Sequence, residues 1–158
     1  MKSMVASETD PNANPPFQKE ADYSYHDTMI LCTISSQEYM NLSLHFLDKN
    51  LLHVSLLLCN RALESMLNAL YIKKERRRPT SNIVLDDILR MFSKHSGLNV
   101  ESLIFIQTIS YLSHESSLIS KIQPTYLMNL IKRADALLLQ IASQLELHYK
   151  TYHSVFEK

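Results

Sequence analysis

The stretch from Leu51 to Lys74, LLHVSLLLCNRALESMLNALYIKK, constrains the fold more strongly than any other part of the chain. It contains neither Gly nor Pro, and apolar residues recur in it at alternating spacings of 4 and 3, which is typical of one face of an α-helix. This face consists of Leu52, Leu56, Cys59, Leu63, Met66 and Leu70. Further apolar positions widen it, so we expect the central helix of a bundle, covered on two or more sides; these positions are Val54, Leu58, Ala62, Ala69 and Ile72.

Residues that break regular structure are rare in the rest of the chain. Gly97 is the only Gly, and Pro79 and Pro124 are the only prolines after the first 25 residues. So few residues suited to positive φ argue against many hairpins, and the separated breakers divide the chain into long helices. The sequence therefore predicts an all-α fold, an antiparallel up-and-down four-helix bundle with one additional shorter helix.

The chain has 158 residues, the size of one domain that can bury a core without disulfides or metal. Residues 1–25 carry three of the five prolines and mostly small or polar side chains, which predicts a flexible N-terminal tail. Residues 26–158 then form a single helical-bundle domain. Within it, the apolar segment 27–34 fits a short strand, an extended lead-in or an extra helical turn, and its sequence does not distinguish them.

The first helix is predicted to begin near Ser35, because Ser35 and Glu38 have capping-box spacing. It ends close to Asn50, almost directly before the central helix, so the two helices should form a tight antiparallel hairpin. Its expected inward residues are Tyr39, Leu42, Phe46 and Leu47.

Two helices are predicted after the central one. The third follows Pro79 and ends at Gly97, and its expected inward residues are Val84 or Leu85, Ile88, Met91 and Phe92. The fourth runs from Asn99 to about Ser117, with one side formed by Leu103, Ile106, Ile109 and Leu112 or Ser113.

The fifth helix is predicted to begin at Thr125, with an inward stripe of Leu127, Ile131, Ala134, Leu138, Ile141 and Leu145. If it continues into the C-terminal residues, it is about 29 residues and roughly 43 Å long. Such an overhang must find apolar cover, which we expect from a second subunit. Fraying after Leu147 is the alternative. The apolar residues of the overhang are Leu145, Tyr149, Tyr152 and Phe156.

Charge and cysteine content narrow the class of protein. Sixteen basic and sixteen acidic residues cancel, which argues against a general nucleic-acid coat protein but allows a local basic patch. Cys32 and Cys59 lie in apolar sequence, as reduced, partly buried thiols of a cytoplasmic protein do. We expect no signal peptide and no membrane span, since Arg61 and Glu64 interrupt the most apolar stretch.

A run of cations closes the central helix. Lys73, Lys74, Arg76, Arg77 and Arg78 surround a single Glu75, giving a net charge of +4 in six residues. Cations favour a helix C-terminus, and a solvated loop needs polar residues, so a structural role explains the run. The functional interpretation is a phosphate-binding patch for nucleotide or RNA, because arginines bind phosphate bidentately. Both interpretations stay open at the level of sequence.

Three segments resemble the HEPN superfamily of higher-eukaryote and prokaryote nucleotide-binding domains. Residues Glu38 to Ile72 resemble its opening helical hairpin, with Arg61 to Leu70 as the equivalent of its A-L-E-K-x-L-K-A-L pattern. The segment Pro79 to Phe92 is similar to the family's P-x-T-H-x-L-x-x-L segment, with Asn82 where a His is frequent. The segment around Pro124 is similar to the lead-in of the last helix, although it does not reproduce the family's Arg-Tyr-Pro.

The resemblance carries expectations about architecture and partners. It implies a four-helix up-and-down bundle with a short extra helix, usually a homodimer. It also implies a nucleotidyltransferase-type protein partner, beside which such proteins act as the substrate-binding or toxin half of a two-gene pair. Other members are ribonucleases that carry an Arg and, four to six residues later, a His.

A literal match to that ribonuclease spacing exists at Arg90 and His95. On the order of one such match is expected by chance in a chain of this composition. The pair also lies at the end of the predicted third helix, before the region where the family places its motif. We therefore predict no catalytic site, and Arg90 and His95 are named only as the catalytic residues of an alternative function, a HEPN-type ribonuclease or toxin.

Metal and cofactor sites are not predicted. The chain has seven histidines, but the spacings of His148 with His153 and of His45 with His53 do not place a ligand pair on one helix face. Adjacent Asp86 and Asp87 point to different faces and suit the first turns of a helix. A single Gly does not allow a phosphate-cradling loop.

The leading hypothesis is thus a non-catalytic, dimeric helical-bundle module that recognises a protein partner, a nucleotide or a nucleic acid. The ribonuclease or toxin is the second hypothesis. The third is a plain protein-interaction bundle without a nucleic-acid role, which agrees with the neutral charge. Arg61, inside the apolar helix, is expected to pair with Glu64 or Glu38 as a structural residue.

Overall fold

A computed structural model describes residues 16–79 (16–23 by their backbone alone), 90, 98–148 and 151–157. Within these ranges lie the helical position Arg90 and five helices, α1 (Pro16–Asp48), α2 (Leu52–Glu75), α3 (Val100–Ser113), α4 (Ser116–Ile119) and α5 (Pro124–Gln144). The described ranges contain no β-strand, so the all-α prediction is confirmed. No helix within them is both long enough and apolar enough to cross a bilayer.

Helix α2 is the central element, as its sequence predicts. It runs unbroken from Leu52 to Glu75 and contacts α1, α3, α4 and α5. Half of its 24 residues are buried, including every member of the predicted stripe except the half-buried Leu52. Val54 is exposed and Leu58 half-buried, so the covered surface is narrower than expected near the start of the helix. Arg76 ends it in the left-handed conformation, and its amide donates to Ile72 O.

Helix α1 is longer than predicted. It begins at Pro16 instead of Ser35, so residues 27–34 are helical and Ser35 is an interior position rather than a cap. Residues 16–25, assigned to the tail, belong to this helix, whereas residues 1–15 lie outside the described ranges. Pro is well tolerated at the start of a helix because its missing N–H has no intrahelical acceptor there.

The inward face of α1 also differs from the prediction. Leu42 is 45% exposed, and Tyr39 and Phe46 are half-buried. The buried stripe is offset by one position and follows the same alternation of 4 and 3: Met29, Thr33, Ser36, Met40, Ser43 and Leu47. Half of these residues carry hydroxyl groups, which hide the stripe from a search for apolar residues.

Hydroxyl groups join α1 to α2. Ser36 Oγ donates to Ala62 O at 2.8 Å, and Ser43 and Ser55 each donate to the other's carbonyl at 2.7 Å. The partner's number in α2 falls as the number in α1 rises, so the helices are antiparallel, which confirms the predicted hairpin. Small residues in such a contact let two backbones approach closely, and each buried hydroxyl is hydrogen-bonded.

Helices α3 and α5 pack on α2 through their predicted stripes. The Asn99 side chain caps α3 by accepting from Ser102 N at 2.7 Å. The helix ends at Ser113 rather than Ser117, and Leu103, Ile106, Ile109 and Ser113 are buried. All six stripe residues of α5 are buried. The core lies between α1, α2, α3 and α5.

The end of the chain contradicts the prediction of a long final helix. Helix α5 ends at Gln144, and Glu146 has a φ of 54°. Residues 151–157 are not helical, and Tyr152, the predicted overhang residue, is 1% exposed within its own chain. A second subunit is therefore not required to cover it. Tyr149 and nearly all of the predicted third helix lie outside the described residues.

Candidate functional site

Helix α3 exposes apolar side chains on the side that faces away from α2. Val100, Ile104 and Tyr111 are 56%, 57% and 62% exposed, and their spacing places them on one face. The opposite face, with Leu103 and Ile106, lies in the core. A helix that packs on only one side normally carries polar residues on the other. The outer face of α3 is therefore a candidate interaction surface.

The N-terminal half of α5 extends this surface. Tyr126 is 52% exposed and lies with Val100 and Ile104 around a hollow of about 390 Å³. We call this hollow the α3–α5 groove, defined by Val100, Ile104, Phe105, Tyr126, Leu130 and Arg133. Its buried residues Phe105 and Leu130 form an apolar floor beneath exposed apolar walls.

Two opposite charges lie at the edge of the α3–α5 groove. Arg133 donates to Glu101 Oε1 at 2.9 Å, and its guanidinium lies 4.6 Å from the centre of the Phe105 ring. A smaller hollow of about 220 Å³, which reaches Gln140, is also lined by these three residues. Exposed apolar patches with Tyr and Arg are characteristic of protein–protein interfaces.

A second constellation surrounds Asp135, on α5. Its side chain is 3% exposed, and Oδ1 accepts from Tyr152 OH at 2.7 Å and from Val155 N at 3.1 Å. Ser154 Oγ donates to the other carboxylate oxygen, Oδ2. All of these donors belong to residues 151–157, which we call the C-terminal segment. A buried carboxylate needs such donors, because removing it from water without them costs several kcal/mol.

Burial and the Asp135 charge affect neighbouring acidic protons. Burial, and then the Asp135 charge, raise the pKa of the Cys59 thiol to about 12. Burial, the hydrogen bond to Asp135 and its charge raise the pKa of Tyr152 above its usual value. Both groups therefore keep their protons at neutral pH, so Tyr152 acts as a hydrogen-bond donor and Cys59 as a neutral core residue.

Comparison with known proteins adds no information about these two sites. No family model, curated protein or solved structure matches the chain. The resemblance to the HEPN superfamily stays a prediction, and function is argued from the geometry.

The predicted cation run occupies the end of α2 and the residues after it. Lys73 Nζ donates to Gln144 O at 2.7 Å and lies 3.5 Å from Glu146 Oε2, so this cation binds the C-terminal end of α5. The Lys74 side chain is exposed. This arrangement agrees with the structural interpretation of the run, in which cations stabilise helix C-termini.

The three arginines of the run have different surroundings. Arg78 donates to Ser24 Oγ at 2.9 Å and to Thr28 Oγ1 at 3.4 Å, which ties the end of α2 to α1. The Arg77 guanidinium lies 5.7 Å from the centre of the Tyr71 ring. Arg76 is the exposed cap of α2. Nucleotide or RNA binding by these cations stays a prediction.

The alternative catalytic pair has one described member. Arg90 is exposed and helical, whereas His95 lies outside the described residues, as do Asp86 and Asp87. The geometry of a ribonuclease site at this pair is therefore untested. Arg61 pairs with Glu64 at 3.2 Å, one of the two partners expected for it.

Among the described residues, no three His, Cys, Asp or Glu side chains group as metal ligands. His148 instead lies against His26, with 6.0 Å between the ring centres. Both cysteines are free, Cys59 buried and Cys32 half-buried.

Neither the α3–α5 groove nor the Asp135 constellation was among the predicted sites. A signal for the groove exists in α3, which is apolar at Val100 and Ile104 as well as on its inward face. Asp135 interrupts the apolar stripe of α5 as a single carboxylate, and this could have marked it as a buried group in need of donors. The donors themselves come from a segment that was expected to be helical.

Proposed function

We propose that the protein is a non-catalytic, homodimeric interaction module, in which a second copy of the chain covers the α3–α5 groove. In this proposal the long helices α1, α2, α3 and α5 form an antiparallel up-and-down four-helix bundle with one additional shorter helix. The observation that carries the proposal is the exposure of Val100, Ile104 and Tyr126 around one hollow, with Tyr111 exposed further along the same face of α3.

Burial of this surface would provide the driving force for association. Single exposed apolar residues are normal on proteins, but several around one hollow form a patch. Removing apolar surface from water stabilises a complex by about 25 cal/mol per Å². Tyr111 and Tyr126 add large, rigid side chains of the kind that carries binding energy at interfaces.

The charges at the groove favour a second copy as its occupant. In a twofold symmetric dimer the same surface meets itself, so it must be complementary to itself. Glu101 and Arg133 are 78% and 51% exposed and have opposite signs. A twofold axis near α3 can therefore bring each of them towards its opposite charge on the other copy, whereas a surface with one sign of charge would repel itself.

The oligomeric state tests this proposal directly. We expect the purified chain to have twice the 18.3 kDa mass of one copy in light scattering coupled to size exclusion. Ile104→Glu places a charge in the groove and should yield the mass of one copy with an unchanged helical circular dichroism spectrum. Leu31→Glu is the matched control, since Leu31 is equally apolar and 63% exposed but lies on α1.

Either of two results would contradict the dimer. A wild-type chain that is monomeric at about 100 μM would leave the groove without this occupant. A dimer lost equally in Leu31→Glu and Ile104→Glu would place the interface elsewhere. The HEPN resemblance makes a nucleotidyltransferase-type protein the expected further partner of such a dimer.

A further inference from the structure

The C-terminal segment supplies the three donors recorded for the buried Asp135 carboxylate. Tyr152 and Val155 satisfy one carboxylate oxygen and Ser154 the other. The Asp135 carboxylate thus accepts hydrogen bonds from a tyrosine hydroxyl, from the hydroxyl of a serine two residues later and from the backbone amide of the residue after that serine. Charged hydrogen bonds of this kind are strong, and a buried carboxylate left without them is strongly disfavoured.

Side chains of α1 and α5 complete the contact. Gln37 Oε1, on α1, accepts from His153 N at 2.6 Å. Lys132 Nζ, on α5, lies 5.8 Å from the centre of the Phe156 ring. The segment therefore bridges two helices that otherwise make few contacts with each other. Side chains of the bundle accept hydrogen bonds from two backbone amides of the segment, and two aromatic residues, Tyr152 and Phe156, contact the bundle. A bound peptide ligand makes contacts of the same kind.

Release of the C-terminal segment would leave the helical hydrogen bonds of α5 intact and would expose the buried Tyr152 side chain. The amides of Phe156 and Glu157 donate to Ser154 Oγ, within the segment itself, and those of His153 and Val155 donate to side chains of the bundle. The helical hydrogen bonds of α5 end before it, and Glu146 redirects the chain with a positive φ. Such a segment is expected to open at a lower free energy than the core helices.

We propose that Asp135, Gln37 and Lys132 form a recognition site for a peptide with Tyr, Ser two residues later and an aromatic residue four positions after the Tyr. The chain's own Tyr152 to Phe156 occupies the site, and a partner polypeptide with the same chemistry displaces it. Because the tethered segment competes at an effective concentration of roughly millimolar, a free peptide binds the wild-type chain weakly. The partner gains access when the tethered segment is weakened or outnumbered.

The binding test uses the full chain and a fluorescein-labelled peptide of residues Thr151 to Glu157 as the probe, measured by fluorescence anisotropy. The double variant Tyr152→Phe with Ser154→Ala weakens the tethered competitor but leaves the receiving site intact. We expect it to bind the probe at least about tenfold more tightly than the wild-type chain. Adding Asp135→Asn to the double variant should remove binding, as should a probe that carries the two substitutions itself.

Failure of the probe to bind the folded double variant at about 1 mM would overturn the proposal. So would a dimer that dissociates in the double variant while the probe does not bind, because the site would then serve exchange of segments between two copies. Loss of the groove-dependent dimer in Ile104→Glu leaves this test unchanged, so the two proposals fail independently.

Amide hydrogen exchange of the wild-type chain tests the same proposal without a substitution. We expect the amides of His153 and Val155 to exchange with one shared opening, faster than the amide of Leu63 in α2. Exchange of all three at one rate would mean that the segment opens only with the whole domain, and the site would then be closed to any partner.

Discussion

The α1–α2 pair and the α3–α5 pair solve the same packing problem with opposite side chains. Along α1, the positions that face α2 include Ser36 and Ser43, and their hydroxyls bond carbonyls of the opposing helix. Because only serine side chains lie between the two backbones at these points, α1 and α2 can pack closely there. Between α3 and α5, the bulky Phe105 and Arg133 stack on each other and line a hollow of about 390 Å³.

The difference shows which helix faces are covered within the domain and which apolar face is left exposed. A helix that is apolar on one face can satisfy that face within its own domain, as α5 does against α2. Helix α3 carries apolar residues on both faces, and a neighbour within the bundle can cover only one of them. The other face is therefore the part of the molecule where binding another polypeptide yields most hydrophobic stabilisation.

The largest expected difference between the two pairs is in the stability of the single chain. Met40 is fully buried in the α1–α2 contact, whereas Ile104 is mostly exposed. Met40→Ala removes a buried side chain and leaves a cavity, which should lower the free energy of unfolding by about 2–5 kcal/mol. Ile104→Ala should lower it by less than about 1 kcal/mol in the monomer, because little apolar area returns to water. Urea unfolding followed by circular dichroism measures both.

This pair of substitutions has a built-in control for dimerisation. In the monomeric Ile104→Glu chain, Met40→Ala should still lower the free energy of unfolding by about the same amount, because Met40 lies in the core of one copy. Comparable losses for Met40→Ala and Ile104→Ala, each measured at a concentration low enough for its chain to be monomeric, would contradict the distinction between a closed and an open helix pair.

The parts of the fold that were predictable are those in which side-chain spacing and burial agree. The predicted stripes of α2 and α5 consist entirely of apolar residues, and burial follows their period almost without exception. Helix α1 was misread because its stripe contains Thr33, Ser36 and Ser43, whose polarity is neutralised only by hydrogen bonds that the sequence does not reveal. Local pattern identified the helix but not its covered face.

The C-terminal segment failed for a different reason. Tyr152 and Phe156 have helical spacing, yet the bond between Tyr152 and Asp135 outweighs continuation of α5 beyond Gln144. A contact between residues 17 positions apart is a tertiary effect that no local periodicity reports. The candidate sites were missed for the same reason, since the groove depends on which surfaces the other helices leave uncovered, and the Asp135 constellation depends on donors distant in sequence.

Burial of the Cys59 thiol in the core should make the stability of the fold depend on pH. The pKa of the Cys59 thiol is about 12 in the folded chain, against an ordinary value of 9.0. Between these values the unfolded chain releases this proton and the folded chain retains it, so stability is full below pH 9 and falls as the pH rises. The loss is about 1.4 kcal/mol per pH unit for one such group. Tyr152, whose pKa is also raised, adds a loss above pH 10.

Urea unfolding at several pH values between pH 8 and pH 11 measures this slope, and Cys59→Ala should reduce it. The matched control is Cys32→Ala, because Cys32 is only half-buried and its pKa is raised by burial alone. We expect Cys59→Ala to reduce the slope more than Cys32→Ala does. An unchanged slope in Cys59→Ala would mean that the thiol reaches solvent in the folded chain.

The smallest expected effect concerns the charges at the edge of the α3–α5 groove. Arg133→Glu places two carboxylates where Arg133 and Glu101 now attract each other, and it also removes the cation from the Phe105 ring. Exposed pairs of this kind contribute about 0.2–1 kcal/mol, so the dissociation constant of the dimer should rise by a factor of roughly 1.4–5. Sedimentation equilibrium measures the change.

Exchanging both charges, with Glu101→Arg and Arg133→Glu together, restores opposite signs within each copy and across a twofold axis, and should recover most of the affinity. If the exchanged pair dimerises no better than Arg133→Glu alone, the charges do not meet across the interface, and the groove binds its second copy through apolar contact alone.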